Sequence, residues 1–193
     1  IRSLYFDDYE DSALYEKQSG ILRRKKYRIR IYNLSDDVIK LEKKSRIGQF
    51  INKESLLLSR SQVEKIMAFD FQFLKDIDNK LAREFYIDLK TKLFRPKVLV
   101  DYVREAYTLN YNRIRITFDK FLKTSMNSVD LFNKDVSLFN AVDEPFYIIE
   151  IKFSNMLPDY LKSVLQITSH QRLAISKYVY ARKLNKSRSW EDQ

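Results

Sequence analysis

Polar and apolar residues alternate strictly over Lys26–Tyr32: Lys26, Arg28, Arg30 and Tyr32 fall on one parity, Tyr27, Ile29 and Ile31 on the other. Period-two alternation rich in β-branched and aromatic residues predicts a strand with one cationic and one apolar face. The alternation recurs along the chain. Ile1–Asp7 reads as a strand. Val38–Ile47 sets Lys40, Glu42 and Lys44 against Ile39 and Leu41. Gly48 marks a bend, and Gln49–Leu57 returns as a hairpin strand carrying Lys53. Lys97–Leu109 places Val98, Val100, Tyr102 and Arg104 on one parity. Arg113–Asp119 opposes Arg113, Arg115, Thr117 and Asp119 to Ile114, Ile116 and Phe118. Phe146–Phe153 opposes Glu150 and Lys152 to Ile149, Ile151 and Phe153.

The period changes between Ser59 and Phe94. Ser59 or Ser61 can cap a helix, Glu64 completing a capping box on Ser61. Val63, Ile66 and Met67, then Phe73, Leu74, Ile77, Leu81, Phe85 and Leu89, follow helical spacing, and Pro96 ends the block. Pro158 opens a helix to about Ile167, and Ser176–Leu184 reads as the last helix, before a polar tail over Asn185–Gln193. Asp8–Gly20 reads as a loop with room for a helical turn, Met126–Val142 as a loop and Asn33–Asp37 as a turn. No linker or repeat divides the 193 residues, so one domain is expected.

These elements predict an α+β fold: an antiparallel β-barrel flanked by helices. The helices of 59–94 and 158–184 would cover the apolar parity from outside, leaving the charged parity to line a basic lumen. Such a lumen is costly when empty, because confined like charges repel and lose hydration. It requires an anion.

Composition narrows the anion. Lys and Arg exceed Asp and Glu by 36 to 26, a net charge of +10, which favours a polyanionic partner. Only Gly20 and Gly48 are glycines, which excludes Walker, dinucleotide and kinase glycine loops, so side chains must hold any phosphate. Cysteine is absent and His170 is the single histidine, which removes disulfides, thiolate chemistry and multi-histidine metal sites. A small barrel is too narrow for a duplex, and the aromatics lie mostly on the apolar parity, which disfavours sequence-specific nucleic-acid binding. Linear phosphate, gripped by arginine forks, fits best.

In order, the Ser3–Asp7 block, Arg28-Ile29-Arg30, Leu41–Lys44, Arg104–Tyr107, Arg115–Asp119, Ile149–Lys152 and Ser176-Lys177 resemble the VTC domain, the polyphosphate polymerase domain of the vacuolar transporter chaperone, in the triphosphate tunnel metalloenzyme or CYTH-like superfamily. That resemblance implies an eight-stranded basic tunnel, a divalent metal (manganese or magnesium), and polyphosphate synthesis from the γ-phosphate of ATP. By the same resemblance Arg28, Arg30, Lys44, Arg104 and Arg115 would be the catalytic phosphate-holding residues. Lys53, Lys152, Ser176 and Lys177 would be further phosphate ligands, and Glu150 the metal ligand. The family's first tunnel strand lies upstream of the Ser3–Asp7 block and is expected to be missing from this chain. A cytoplasmic location beside a membrane-protein partner is expected, with no transmembrane segment in the chain itself.

Two alternatives remain at the level of sequence: a tunnel hydrolase of (nucleoside) triphosphates, and a non-catalytic polyphosphate-binding module. Glu42 reads as an ion-pair partner orienting Lys44, and Asp119 as either a turn or a lumenal residue. The run Arg23–Lys26 reads as solvated surface or as an anion attractor at a tunnel mouth. Tyr107, Tyr178 and Trp190 read as packing residues, and His170 receives no role.

Overall fold

The computed structural model describes residues 1–142, 146–165 and 174–191, with side chains to 187. Its strands are β1 (Arg2–Asp7), β2 (Arg23–Tyr32), β3 (Ser35–Ile47), β4 (Phe50–Leu58), β5 (Arg95–Leu109), β6 (Ile114–Thr124), β7 (Phe139–Asn140) and β8 (Tyr147–Lys152). Its helices are α1 (Ser12–Gln18), α2 (Arg60–Met67), α3 (Lys80–Thr91), α4 (Asp159–Leu165) and α5 (Lys177–Glu191). The sheet runs β4-β3-β2-β1-β5-β6-β7, and β8 also pairs with β6. Every ladder is antiparallel. The fold is α+β, as the alternation implies.

The apolar parity forms the larger core. Leu4, Phe6, Tyr27, Ile29, Ile31, Ile39 and Leu41 are buried against Val63 and Ile66 of α2 and Leu81, Phe85 and Leu89 of α3. Ser59 caps α2 through a box with Gln62, not Glu64: its hydroxyl accepts from the Gln62 N–H at 3.2 Å and Gln62 Oε1 accepts from the Ser59 N–H at 2.8 Å. Pro96 stands at the start of β5, opposite Phe6, at a register shift where its missing N–H costs little.

The other face is concave. Lys44 on β3 lies in the electrostatic field of Glu150 and Lys152 on β8, a strand it never pairs with. The sheet therefore curls until its charged parities face each other. The ring is not closed by ladders: among the described residues β4 pairs only with β3, and β7 and β8 only with β6. The barrel of the sequence reading is thus an open curved wall, because no described segment joins the edge of β4 to that of β8.

Helix placement corrects a second expectation. α5 packs inside the curve: Tyr178 and Ala181 join Tyr5, Val98, Val100 and Tyr102 in a second core, together with Leu14 of α1. The concave parity of β1 and β5 is apolar at this end, and an apolar surface there needs a cover. α4 buries no residue. The segment 8–20, read as a loop with room for a helical turn, contains α1. Asp7 supplies its missing cap: Oδ1 accepts from the Ala13 N–H at 2.9 Å and Oδ2 from the Leu14 N–H at 3.1 Å. Asp7 Oδ2 also accepts from the Tyr178 hydroxyl at 2.5 Å, so one carboxylate ties α1, α5 and β1 together. Arg182 adds a 2.5 Å ion pair to Asp11. The polar stretch after Leu184 continues α5 to Glu191; His170 and the end of the 158–167 helix lie outside the described residues.

Candidate functional site

Register brings the charged residues of distant sequence onto one wall. Arg28 stands opposite Tyr5 on one side and Glu42 on the other, and Arg30 opposite Ser3 and Lys40. Arg104 stands opposite Asp119, Thr117 opposite Glu150, and Arg115 opposite Lys152. Alternation within each strand then puts all of them on the concave face.

Two buried carboxylates organise the cations. Glu42 accepts from Arg28 Nε at 2.6 Å, lies 3.7 Å from Arg30 Nη1, and pairs with Lys53 through its other oxygen. It makes no ion pair with Lys44, which the sequence suggested it would orient: Lys44 lines a cavity with Lys17, Arg24, Lys26 and Arg46. Arg30 is completed by Ser3 Oγ and the Tyr102 hydroxyl, each at 3.2 Å. Asp119 takes the fork of Arg104, Nε to Oδ1 at 2.5 Å and Nη2 to Oδ2 at 2.7 Å, and pairs with Lys177 at 2.5 Å. The alternative of Asp119 as a turn residue is thereby excluded. Bidentate and shared pairs of this kind fix guanidinium planes.

The charges respond accordingly. Burial pushes the Glu42 carboxyl up, but Arg28, Lys53 and Arg30 outweigh it and hold the group down at about 2. The Asp119 bond, the largest influence on Arg104, raises that guanidinium. Burial would lower Arg28, yet Tyr5 and Glu42 raise it. Tyr5 is the reverse case: burial pushes the phenol up, and Arg28, Lys26 and Arg30 draw it down to about 7, with Arg28 Nη1 donating to its oxygen at 2.9 Å.

Glu150 is the less engaged carboxylate. It lies 3.3 Å from Lys152 and 3.8 Å from Arg104 Nη2, with its side chain 43% exposed. Burial raises its carboxyl, and Lys152, Arg104 and Lys177 together bring it below its ordinary value. Among the described residues no three carboxylate or histidine side chains gather as a metal cage. The donor set instead fits a hard cation that takes one protein carboxylate and completes its shell with water and phosphate oxygens.

Of the residues singled out from sequence, the structure gathers Arg28, Arg30 and Lys53 at Glu42, Arg104 and Lys177 at Asp119, and Lys152 at Glu150. Arg115 is on the same face but exposed, in no ion pair among the described residues. Lys44 and Ser176 stand apart, on a cavity wall at one end. Reading the sequence alone missed Ser3, Tyr5 and Tyr102 as partners of the arginines. Their signal is pairing register, which a single strand's alternation does not contain.

The sequence pattern of the VTC domain matches residues 1–185. No curated protein matches the chain. Among solved structures, that of a "putative adenylate cyclase" from Bacillus halodurans shares 12% identity at a TM-score of 0.47, covering 91% of this chain and 77% of that one.

Proposed function

The chain belongs to the VTC domain family, and from that premise we propose that its concave wall binds a nucleoside triphosphate together with a divalent cation and transfers the γ-phosphoryl group to inorganic polyphosphate. The observation that carries this reading is the paired geometry of the arginines. Arg28 and Arg30 on β2 and Arg104 on β5 stand on either side of β1 on the same face, each held by Glu42 or Asp119, while Glu150 stays partly free beside Arg104.

Phosphoryl transfer asks for in-line positioning and for fixed positive charge where the transferred group spreads its own. The buried carboxylates hold the guanidiniums in place before the substrate arrives, so little reorganisation is needed at the moment of reaction. A terminal oxygen of the acceptor chain forms the new bond to the γ-phosphorus as the bond to the β–γ bridging oxygen breaks, releasing a nucleoside diphosphate. No side-chain nucleophile is involved. Lys53, Lys152, Lys177, Arg115, Lys44 and Ser176 extend the phosphate-binding surface. A magnesium or manganese ion on Glu150 would neutralise charge on the bound phosphate oxygens.

The test is product analysis. The protein is incubated with ATP and manganese, and the products are resolved. Long-chain polyphosphate with matching ADP is expected. Free phosphate without polymer would reassign the wall to hydrolysis. Binding of tripolyphosphate without any turnover would reduce it to a polyphosphate-binding module.

A further inference from the structure

An apolar cluster at one end of the sheet has no cover among the described residues. It forms the tip of the β3–β4 hairpin, where Gly48 and Gln49 make the turn and Ile47 pairs with Phe50. Phe50 is 83% exposed, and Ile21, Leu22, Ile47 and Ile51 are between 47% and 62% exposed. The Gly48 N–H donates to the Leu22 carbonyl at 3.1 Å, which joins the segment before β2 to the turn. Exposed apolar side chains gathered in this way mark an interaction surface, whereas single ones scattered over a surface do not.

Hairpin turns are ordinarily polar. Here the alternation puts apolar groups on both faces of the tip: Ile47 and Phe50 share the convex face, and Ile51, paired with Arg46, takes the concave one. Cations follow directly behind. Arg23 stands opposite Ile47 on the convex face and Arg24 opposite Arg46 on the concave face, within one residue, ~3.3 Å, of the apolar pair. Arg23 forms no ion pair among the described residues. Arg24 Nη1 donates to the Ile21 carbonyl, and Arg46 Nε to the Gly48 carbonyl at 2.7 Å. Those bonds tie both guanidiniums to the backbone of the tip without neutralising them, and Glu16 acts on Arg24 less strongly than Arg46 does.

Shape and charge together choose the partner. A groove on another protein covers one face of a hairpin, whereas this tip is apolar on both. A lipid surface surrounds whatever enters it. Its acyl boundary lies beneath a layer of headgroup phosphates, so an apolar tip with cations at its base matches an anionic bilayer in order and in sign. We propose that the β3–β4 tip docks the protein on the surface of an anionic lipid bilayer. Leu22, Ile47, Phe50 and Ile51 enter the acyl boundary, and Arg23, Arg24 and Arg46 meet the headgroup phosphates. Two residues of strand reach ~7 Å, within the roughly 5–10 Å to which interfacial segments sink. This docking does not depend on the phosphoryl-transfer reading of the concave wall.

The experiment is co-sedimentation of the whole chain with vesicles of phosphatidylcholine alone and of phosphatidylcholine with phosphatidylserine. The wild type is expected to partition onto the serine-containing vesicles, and added salt to weaken that partition. F50S/I51S is expected to lose about tenfold or more in partition at an unchanged melting temperature, since both side chains are exposed. Arg23→Gln is expected to lose about fivefold, with a shallower salt dependence. Phe50→Trp reports insertion directly. Its fluorescence, taken as the difference from the wild type with its single Trp190, is expected to shift to the blue on the serine-containing vesicles. No partition, partition that F50S/I51S leaves intact, or an unshifted Phe50→Trp spectrum would overturn the proposal. Self-association that F50S/I51S abolishes, without any vesicle binding, would also overturn it and assign the tip to a second copy of the chain.

Discussion

Two groups of cations lie along the same strands, β2 and β3, and are treated in opposite ways. On the concave wall, Arg28, Arg30 and Arg104 are each set against a buried carboxylate, Glu42 or Asp119. In the cavity at its end, Lys17, Arg24, Lys26, Lys44 and Arg46 share a wall that no carboxylate lines, with Glu16 acting on Arg24 and Glu150 on Lys44 only from outside it. Arg28 and Arg104 are raised and Lys17, Arg24, Lys26 and Lys44 lowered. The difference separates two jobs a basic surface can do. Compensated arginines are positioned parts, stable before any ligand arrives. Uncompensated cations store unfavourable energy that an incoming polyanion relieves.

The sharpest break of this comparison is at Glu42. Glu42→Gln removes the charge that Arg28, Arg30 and Lys53 share, and breaking a buried pair from one side costs about 3–5 kcal/mol. The melting temperature of the ligand-free protein should fall by on the order of 10 °C, measured by calorimetry or circular dichroism. A loss of only a degree or two would show that the wall does not depend on compensation.

Next come Arg104→Gln and Glu150→Gln, which should each cut ATP-dependent polyphosphate formation by about 10² or more, in steady-state assays with manganese at saturating ATP. Glu150→Gln should do so with little change in stability, since its carboxylate is half exposed and loosely paired.

The cavity should respond with the opposite sign. Lys26→Met removes a repelled cation, so the ligand-free protein should gain about 1 kcal/mol, or a few degrees in melting temperature.

A pH titration reads the same region. Tyr5 titrates near 7 in the folded protein and Lys26 near 8, both below their ordinary values. Between those values and about 10 the unfolded chain binds more protons than the folded one at these two groups, so their contribution to stability rises with pH across about 7–10. The ligand-free melting temperature should climb in that window. Tyr5→Phe should flatten the climb and remove the phenolate absorbance that develops near neutral pH.

The smallest effect belongs to Arg115→Gln. Arg115 is exposed and unpaired among the described residues, so stability should move by less than about 0.5 kcal/mol, while affinity for tripolyphosphate falls measurably.

Much of this architecture was legible in the chain. Alternation in β2, β3, β5, β6 and β8 assigned Arg28, Arg30, Glu42, Arg104, Asp119 and Glu150 to one face each, because the strand period is two and independent of context. Helical spacing located α2 and α3, and of the two caps the sequence offers, Ser59 and Ser61, Ser59 is the one used, because Gln62 rather than Glu64 completes the box. α1 read as no more than a helical turn in a loop, since Asp7 and Asp8, lying before it in sequence, cap it through a fold of the chain rather than through a local signature. α5 was placed on the wrong side: its sequence shows an amphipathic surface but not which of two apolar surfaces receives it.

What the sequence determined by itself was therefore the set of faces: which residues share a side of each strand, that the shared side is cationic, and that glycine loops cannot hold its ligand. The tertiary structure alone decided the partners. Whether an arginine meets Glu42 or another cation depends on ladder register between strands far apart in the chain, as with Arg28 against Glu42 and Arg24 against Arg46. Curvature then sets Lys44 before Glu150 on strands that never bond. Alternation is local and survives in any register. Charge compensation is a distance between atoms brought together only by folding.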